Sequence, residues 1–174
     1  MNQNYREKLK RVTTFVFDFD GVLSDGKIYV LPDGDQIRGT SVKDGYALQY
    51  ALKKGFRIAV ISGGVSETMR LRYQNFPNME IYLRVSQKVP VFNQFLEKHQ
   101  LITDEVLYMG DDMPDYQLMQ LAGVKTCPAD ACEEIKSISE YISFQKGGEG
   151  CVRDIIEQTL KAQGKWGEDD AYQF

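Results

Sequence analysis

Two aspartates separated by one residue follow a short apolar run near the N-terminus of the chain. Residues 15–17 (Phe-Val-Phe) are followed by Asp18, Asp20 and Gly21. Carboxylates this close together at the end of a buried strand repel each other unless a cation neutralises them. Oxygen donors without histidine or cysteine suit Mg²⁺ better than Zn²⁺. The spacing therefore favours a magnesium site, at which a carboxylate can also attack a phosphate group as a nucleophile.

Polar side chains also follow two later apolar runs. Ser62 ends the run 57–62, and Asp111 and Asp112 follow the run 106–110. A hydroxyl such as Ser62 and an ammonium such as Lys88 can hold phosphate oxygens. A second carboxylate near the nucleophile can protonate a leaving oxygen and later activate water. These residue types together indicate phosphoryl transfer.

Each feature taken alone has a simpler interpretation. An isolated Asp-x-Asp is typical of a turn or a helix cap, Ser62 with its two following glycines is typical of a loop, and Lys88 could be a solvated helix residue. The acidic segment 110–115 could be a capped turn, with Pro114 near the start of the next helix. Their occurrence in order at successive strand ends favours one shared site.

The elements that must position these residues are strands that alternate with helices. This alternation predicts a Rossmann-like three-layer α/β sandwich with a mostly parallel central sheet, whose ligand site lies beyond the carboxyl ends of the strands. A Pro/Gly turn at 32–35 predicts a β-hairpin formed by 27–31 and 36–40. Asp44 and Ser66 are candidate helix caps. The predicted strands are 13–17, 57–62, 80–83, 106–110, 124–127 and 141–144, and further helices are predicted at 86–100, 113–123 and 151–163.

Composition limits the function classes. The chain has 174 residues and a net charge of −4, which predicts one domain and argues against nucleic acid as the main partner. No apolar run is long enough to span a membrane, and the N-terminus lacks the apolar region of a signal peptide. Three cysteines without paired spacing predict reduced thiols and a cytoplasmic location. The single histidine, His99, ends a predicted helix, which leaves little material for histidine-based catalysis.

Together the residues at the strand ends resemble the motifs of the haloacid dehalogenase-like phosphatase superfamily. The segment DFDGV resembles the first motif, Ser62 the second, Lys88 the third and the segment 110–115 (GDDMPD) the fourth. The resemblance implies that Asp18 is the nucleophile and a Mg²⁺ ligand. It implies that Asp20 is the general acid/base and binds the metal through its backbone carbonyl.

The same resemblance assigns the remaining motif residues. Ser62 and Lys88 would hold the transferring phosphoryl group, and Asp111 would complete the metal site. Asp112 and Asp115 would support these groups without binding the phosphate.

The likeness is narrower than a superfamily and covers residues 12–160. Segments 20–30, 41–63, 110–119 and 146–156 are similar to the small capless branch typified by 3-deoxy-D-manno-octulosonate 8-phosphate phosphatases. In that branch a hairpin, here about residues 26–41, replaces a cap domain, and the chain has no room for a cap between Asp25 and Asp44. The resemblance also implies a homotetramer in which neighbouring subunits close each active site.

The branch also implies a set of substrate contacts. Lys43, Arg72 and a helix N-terminus would suit a phosphorylated sugar acid, although each cation could instead be an ordinary surface residue. The implied substrate-binding residues are Asp20, Ser41, Val42, Lys43, Asp44, Gly45, Arg72 and Lys88.

Three positions depart from the pattern of the branch. Gly64 stands where arginine is frequent, Arg84 where glycine is common, and Glu149 where a basic residue is frequent. These changes leave the phosphoryl-transfer residues intact and concern sugar recognition.

The sequence therefore predicts one hydrolase domain over 1–174, with a polar tail at about 164–174. The expected activity is Mg²⁺-dependent hydrolysis of 3-deoxy-D-manno-octulosonate 8-phosphate through an aspartyl-phosphate, a step toward lipopolysaccharide sugar. The alternatives are a nonulosonate 9-phosphate phosphatase of sialic-acid-type pathways, a phosphatase of broad specificity, and a catalytically silent binding or assembly module.

Overall fold

Six parallel strands form the central sheet in the computed structural model, which describes residues 4–168. The sheet has the order β5-β4-β1-β6-β7-β8, and every neighbouring pair is parallel. A separate antiparallel pair, β2 and β3, forms a small hairpin. The strands are β1 Thr14–Phe17, β2 Tyr29–Val30, β3 Gln36–Ile37, β4 Arg57–Ile61, β5 Met79–Tyr82, β6 Val106–Met109, β7 Val124–Cys127 and β8 Tyr141–Ile142.

Helices cover both faces of the sheet. Alternation of side chains along β1 sends Phe15 and Phe17 into one core and Val16 into the other. The first core contains residues of α1, α2, α3 and α7, and the second contains residues of α4, α5 and α6. The predicted three-layer α/β sandwich is therefore confirmed. The helices are α1 Tyr5–Leu9, α2 Val42–Lys53, α3 Thr68–Tyr73, α4 Lys88–His99, α5 Tyr116–Leu121, α6 Glu133–Ile138 and α7 Cys151–Ala162.

Successive strands are added first on one side of β1 and then on the other, so the strand order reverses between β1 and β6. From β1 the strands proceed outward to β4 and β5, and the chain then returns to add β6 on the other side of β1. Such a reversal opens a crevice at the carboxyl ends of the strands. Asp18, Ser62 and Asp111 all follow the three central strands at this edge.

The hairpin is fastened to the loop after β4 and to α3. The Ser66 hydroxyl donates to Asp35 at 2.8 Å, and the Thr68 hydroxyl donates to the carbonyl of Gln36 at 3.2 Å. Only two residues on each side form the ladder, fewer than the five on each side that the sequence predicts. The hairpin is therefore a small flap held mainly by side-chain contacts.

Two predicted helix caps are wrong. Helix α2 is capped by Ser41, whose hydroxyl accepts the Asp44 N–H at 3.3 Å, so Asp44 lies inside the first turn. Helix α3 begins after Glu67 without a side-chain cap, and the Ser66 hydroxyl accepts the Thr68 N–H at 3.3 Å from outside the helix.

Two short helices, α1 and α6, are not predicted from the sequence, because each buries a single residue and shows no apolar period. Among residues 4–168, no helix is long and apolar enough to cross a membrane. Of the predicted polar tail, residues 169–174 lie outside the described part of the chain.

Candidate active site

A buried lysine joins two of the carboxylates at the centre of the sheet edge. The Lys88 ammonium lies 2.7 Å from Asp18 Oδ1 and 2.6 Å from Asp115 Oδ1. Lys88 and Asp18 are each 8 % exposed, and Asp115 is 1 % exposed. Burial by itself lowers the pKa of Lys88, but the two carboxylates outweigh it and raise that pKa above its ordinary value. Lys88 is therefore a fixed positive charge beside Asp18.

Three carboxylates converge beside this lysine. Asp18, Asp111 and Asp115 each offer an oxygen, and these oxygens lie within 4.8 Å of one another. Burial, followed by the charge of Asp115, raises the pKa of Asp18 to about 7. Burial, followed by the charges of Asp18 and Asp115, raises the pKa of Asp111 to about 8. A divalent cation would remove this repulsion, and the oxygen-only donor set fits Mg²⁺.

The backbone places Asp18 and Asp111 face to face. The Asp18 N–H donates to the Met109 carbonyl at 3.0 Å, which continues the β1–β6 ladder to the end of the strands. Gly21 has φ +86°, and a Cβ atom there would collide with the Asp111 carboxylate. The glycine of DFDGV is therefore needed both for the turn and for the close approach of Asp111.

Asp115 is held by donors on every side, although the sequence analysis gave it only a supporting role. The Tyr108 hydroxyl donates to Asp115 Oδ1 at 2.5 Å, and the Asp111 N–H donates to Oδ2 at 3.0 Å. Tyr108 is fully buried, and burial followed by the charge of Asp115 raises its pKa well above the ordinary value. In the sequence Tyr108 is only one residue of a predicted strand, and the one signal for its role is that a buried tyrosine hydroxyl usually requires a partner.

Ser62 and Lys88 border an open cleft. The cleft has a volume of about 860 Å³ and includes Asp18, Asp20 and Gly64 in its lining. Ser62 is 1 % exposed, and its hydroxyl oxygen accepts the Gly64 N–H at 3.0 Å. The structure thus brings the four predicted catalytic residues, Asp18, Asp20, Ser62 and Lys88, to one cleft.

Asp20 is bound by an arginine from the hairpin. Arg38 Nε lies 2.5 Å from Asp20 Oδ1, and Arg38 Nη2 lies 3.0 Å from Oδ2. The Ser24 hydroxyl also donates to Asp20 Oδ1 at 3.2 Å. No pattern near Arg38 in the sequence indicates this contact, because only the folded hairpin brings it to Asp20.

None of the residues in the predicted substrate-binding segment 41–45 lines this cleft. Val42 and Lys43 are exposed on α2, and Lys43 borders a different groove. Ser41 is used as the helix cap. Gly45 is buried, and a Cβ atom there would lie 2.7 Å from Arg72 Nη2. Arg72 itself donates to the Thr40 hydroxyl at 3.1 Å.

The predicted contact of Asp44 with substrate stays a prediction, and in this structure the Asp44 side chain is buried. Asp44 is 0 % exposed, and its Oδ1 accepts the Arg153 N–H at 2.7 Å near the start of α7. Burial raises the pKa of Asp44 to about 6, against the opposing N–H groups of Arg153 and Gly150. Asp44 therefore anchors α7 to α2.

The loop that precedes α7 packs on the loop after β1, which carries Asp18 and Asp20. The Gly148 N–H donates to the Val22 carbonyl at 2.9 Å, and a Cβ atom on Gly147 would collide with the Gly21 carbonyl. Asp44, α7 and this glycine pair consequently form one support for the segment that carries Asp20.

Arg84 does not take the place of the arginine absent at position 64. Its φ is +59°, and its guanidinium donates to the Val65 carbonyl at 3.4 Å. It borders a separate groove rather than the cleft. A Cβ atom on Gly64 would lie 2.7 Å from Met69 Sδ, so a side chain at position 64 requires Met69 to move. Glu149 borders the same groove as Lys43.

Comparison with known proteins agrees with this geometry. Residues 60–154 match the family of haloacid dehalogenase-like hydrolases, and the chain belongs to this family. Within it, the chain is 32 % identical over 161 residues to 3-deoxy-D-manno-octulosonate 8-phosphate phosphatase KdsC of Salmonella typhi. That alignment covers 92 % of this chain and 86 % of the relative.

Solved structures show the same likeness. The 3-deoxy-D-manno-octulosonate 8-phosphate phosphatase of Yersinia pestis superposes with a TM-score of 0.92 at 27 % identity, covering 95 % of this chain and 90 % of that one. The corresponding protein of Moraxella catarrhalis, solved in complex with magnesium ion, phosphate ion and a KDO molecule, superposes with a TM-score of 0.90. Its identity is 30 %, and 95 % of each chain is covered.

Proposed function

We propose that the protein is a Mg²⁺-dependent phosphomonoesterase that hydrolyses 3-deoxy-D-manno-octulosonate 8-phosphate to the free sugar acid and phosphate. The observation that carries this proposal is the Asp18–Lys88–Asp115 cluster with Asp111, which opens on a cleft bordered by Ser62. A silent binding module has no use for two buried carboxylates and a half-buried one that repel one another. The intact cluster therefore argues for catalysis.

In the first half-reaction, an oxygen of Asp18 attacks phosphorus and the bond from phosphorus to the sugar oxygen breaks. Asp20 gives its proton to the leaving oxygen, so that the sugar departs as an alcohol. Ser62 and Lys88 hold the oxygens of the transferring group, and the fixed charge of Lys88 offsets the negative charge on them. The product is an aspartyl-phosphate on Asp18.

In the second half-reaction, Asp20 takes a proton from water and the resulting hydroxide attacks the phosphorus of the aspartyl-phosphate. The bond from phosphorus to Asp18 breaks, inorganic phosphate leaves, and both aspartates return to their starting states. Asp18, Asp111 and the Asp20 carbonyl would hold Mg²⁺, which would supply positive charge between the anionic nucleophile and the anionic phosphate. Asp115 orients Lys88 in both steps.

The relatives described above support the eight-carbon sugar acid as the substrate. A nine-carbon nonulosonate 9-phosphate is the second candidate. Gly64, Arg84 and Glu149 differ from the residues that are frequent in the octulosonate branch, and these differences concern recognition of the sugar. A nine-carbon acid carries the same carboxylate and the same phosphate, so the transfer residues serve either substrate.

We also propose a cytoplasmic homotetramer built from chains that each form one hydrolase domain. Five apolar residues of the hairpin region are exposed, which supports burial of that flap against a neighbouring subunit. These residues are Ile28, Tyr29, Val30, Leu31 and Ile37. Three free thiols, two of them buried, agree with a reducing compartment.

The experiment is phosphate release, with Mg²⁺ present, from octulosonate 8-phosphate, a nonulosonate 9-phosphate and hexose phosphates. We expect the octulosonate to have the highest kcat/KM and EDTA to stop its hydrolysis reversibly. A higher kcat/KM for the nonulosonate would reassign the substrate, and equal values for all would indicate a phosphatase of broad specificity. No release from any compound would overturn the catalytic assignment.

A further inference from the structure

Arg38 binds the two carboxylate oxygens of Asp20, which the proposed reaction needs for proton transfer. Its guanidinium donates to both carboxylate oxygens of Asp20, and its side chain is only 3 % exposed. Further bonds to the carbonyl and side chain of Gln36, at 3.3 and 3.4 Å, complete its contacts. A paired guanidinium and carboxylate with two parallel hydrogen bonds is among the strongest side-chain pairs.

This arrangement is incompatible with the acid step. Asp20 must present an oxygen to the leaving group in the first half-reaction and to water in the second. Arg38 binds both oxygens, and Ser24 binds Oδ1 as well. Arg38 must therefore release Asp20 before the sugar oxygen can receive a proton.

A second pocket lies beside Arg38. Its volume is about 380 Å³, and Arg38, Thr40, Thr68 and Arg72 border it together with four apolar residues, Phe19, Ile37, Met69 and Leu71. The two arginines are the charged residues of this lining, and none of the described residues that line it is acidic. A carboxylate in this pocket would attract Arg38 by charge-assisted hydrogen bonds that compete with those to Asp20.

The Arg38 side chain can leave Asp20 while the strands of the hairpin stay paired. It lies just after the two-residue strand β3, outside the hydrogen-bonded ladder of the hairpin. A change of its rotamers therefore breaks no hydrogen bond between the strands.

We propose that Arg38 is a specificity-determining latch, which holds Asp20 until the carboxylate of a sugar-acid substrate draws it away. A phosphate ester without a carboxylate leaves the latch closed and is hydrolysed slowly, although its phosphate fits the same site. This inference rests on the proposed function, because it needs a substrate that carries a carboxylate in addition to its phosphate.

The test compares wild type with Arg38→Met on three substrates. Octulosonate 8-phosphate has a carboxylate and an alkyl leaving group, and a hexose 6-phosphate has the same kind of leaving group without a carboxylate. p-Nitrophenyl phosphate has a leaving group that departs without a proton, so its first half-reaction, followed as pre-steady-state release of p-nitrophenol, reports on Asp18, Lys88 and the metal without Asp20. Arg6→Met, at an exposed arginine of α1, is the matched control and leaves all three rates unchanged.

We expect the two alkyl substrates to respond in opposite directions. In Arg38→Met, kcat/KM for the octulosonate falls about tenfold or more, because a charge-assisted contact is lost. For the hexose phosphate it rises roughly threefold, because the competing pair with Asp20 is gone. The pre-steady-state rate of p-nitrophenol release stays within about twofold of wild type. Arg38→Lys keeps the positive charge with fewer hydrogen-bond donors. Its kcat/KM for each alkyl substrate should therefore lie between the values for wild type and Arg38→Met.

Other outcomes overturn the latch. An equal fall for both alkyl substrates would show that Arg38 only orients Asp20, and an equal fall for all three would show a structural role. Unchanged selectivity in Arg38→Met, with a wild type that prefers the octulosonate, would reject the latch and leave the proposed function standing. A wild type without preference for either sugar acid would instead reject the proposed function, and the latch with it.

Discussion

Three carboxylates surround one ammonium at the centre of the site, so protons and a bound cation compete for the same oxygens. Lys88 neutralises one charge of Asp18, Asp111 and Asp115, and burial removes the water that would screen the rest. In the metal-free protein this favours the protonated forms of Asp18 and Asp111, whose pKa values are about 7 and about 8. The site is therefore completed by a cation.

The first prediction concerns the pH dependence of metal binding. Mg²⁺ must displace the protons that Asp18 and Asp111 carry below their raised pKa values, and it stabilises the folded state that binds it. We expect saturating Mg²⁺ to raise the melting temperature, and a fixed subsaturating concentration to raise it more at about pH 9 than at about pH 6. Scanning calorimetry with and without EDTA measures the difference.

Without metal, the stability of the protein should fall as the pH rises. Its folded carboxyl groups, Asp18 and Asp111, keep protons that the unfolded chain loses near pH 4, so the free energy of unfolding falls as the pH rises from about 4 through about 8. Asp111→Asn, which removes one ligand and one charge, flattens this fall and weakens the Mg²⁺ effect. A Mg²⁺ effect of equal size in that variant would contradict the assignment of Asp111 as a ligand.

The second prediction concerns the nucleophile. Asp18→Asn keeps the shape of the side chain but cannot form the aspartyl-phosphate, so kcat falls by ~10³-fold or more. The fold survives because Lys88 keeps its ion pair with Asp115. Phosphate release and circular dichroism check both parts. Asp104→Asn, at an exposed aspartate far from the cleft, is the control, and substantial turnover by Asp18→Asn would remove Asp18 as the nucleophile.

At this scale the sequence shows which residues meet but not every bond they make. Asp18, Ser62 and Asp111 are predictable because polar residues after buried strands share one edge of a parallel sheet. Lys88 begins α4 and is predictable from its resemblance to the third motif. The Tyr108 hydroxyl and the Arg38 guanidinium are not, because their partners lie 7 and 18 positions away along the chain. Such contacts depend on how the flap and the strand ends pack.

Among the elements, α7 and the glycine pair before it fix the loop that carries Asp20. Asp44 anchors α7 at its first turn, and Gly148 bonds to Val22. The family-like segments around Asp44 and around residues 147–150 are therefore explained by one structural connection. Both segments are visible in the sequence, but the burial of Asp44 is not, because it depends on the packing of α2 against α7 and leaves no local signal.

The third prediction tests this anchor through its pH dependence. Because burial raises the pKa of Asp44 to about 6, ionisation of Asp44 costs stability in the folded state. Wild type should lose up to about 3 kcal/mol of unfolding free energy relative to Asp44→Asn as the pH rises from about 4 to about 6. Above that range the difference should be constant. Urea unfolding of both proteins across this pH range measures it.

A difference between wild type and Asp44→Asn that does not change with pH would show that Asp44 is ionised at little cost. The activity of Asp44→Asn provides a second readout. Substitution by Asn keeps an acceptor for the Arg153 N–H, so KM should change little if Asp44 does not contact substrate. A large rise in KM with an unchanged kcat would restore the original interpretation of a substrate contact.

For the whole molecule, the sequence predicts the layered fold well but cannot give the surfaces that meet between chains. Strands that alternate with helices determine the sheet, since each strand must bury both faces. The hairpin is different, because Tyr29 and Val30 are 56 % and 69 % exposed on a strand that contacts no core. Exposed apolar residues on a small flap are best explained by a partner that covers them.

The last prediction tests that partner. The double variant Tyr29→Lys and Val30→Ser should convert the proposed tetramer to a species near the 19.9 kDa mass of one chain, because burial of the flap drives association. Ile102→Ser is the matched control, since Ile102 is 60 % exposed at the opposite end of the sheet. Light scattering after size exclusion measures the mass.

If neighbours close the active sites, kcat/KM for the sugar acid should fall in the double variant while hydrolysis of p-nitrophenyl phosphate is retained. A wild type that is itself a monomer would reject the assembly, and a dissociated variant with full activity would show that each chain closes its own site.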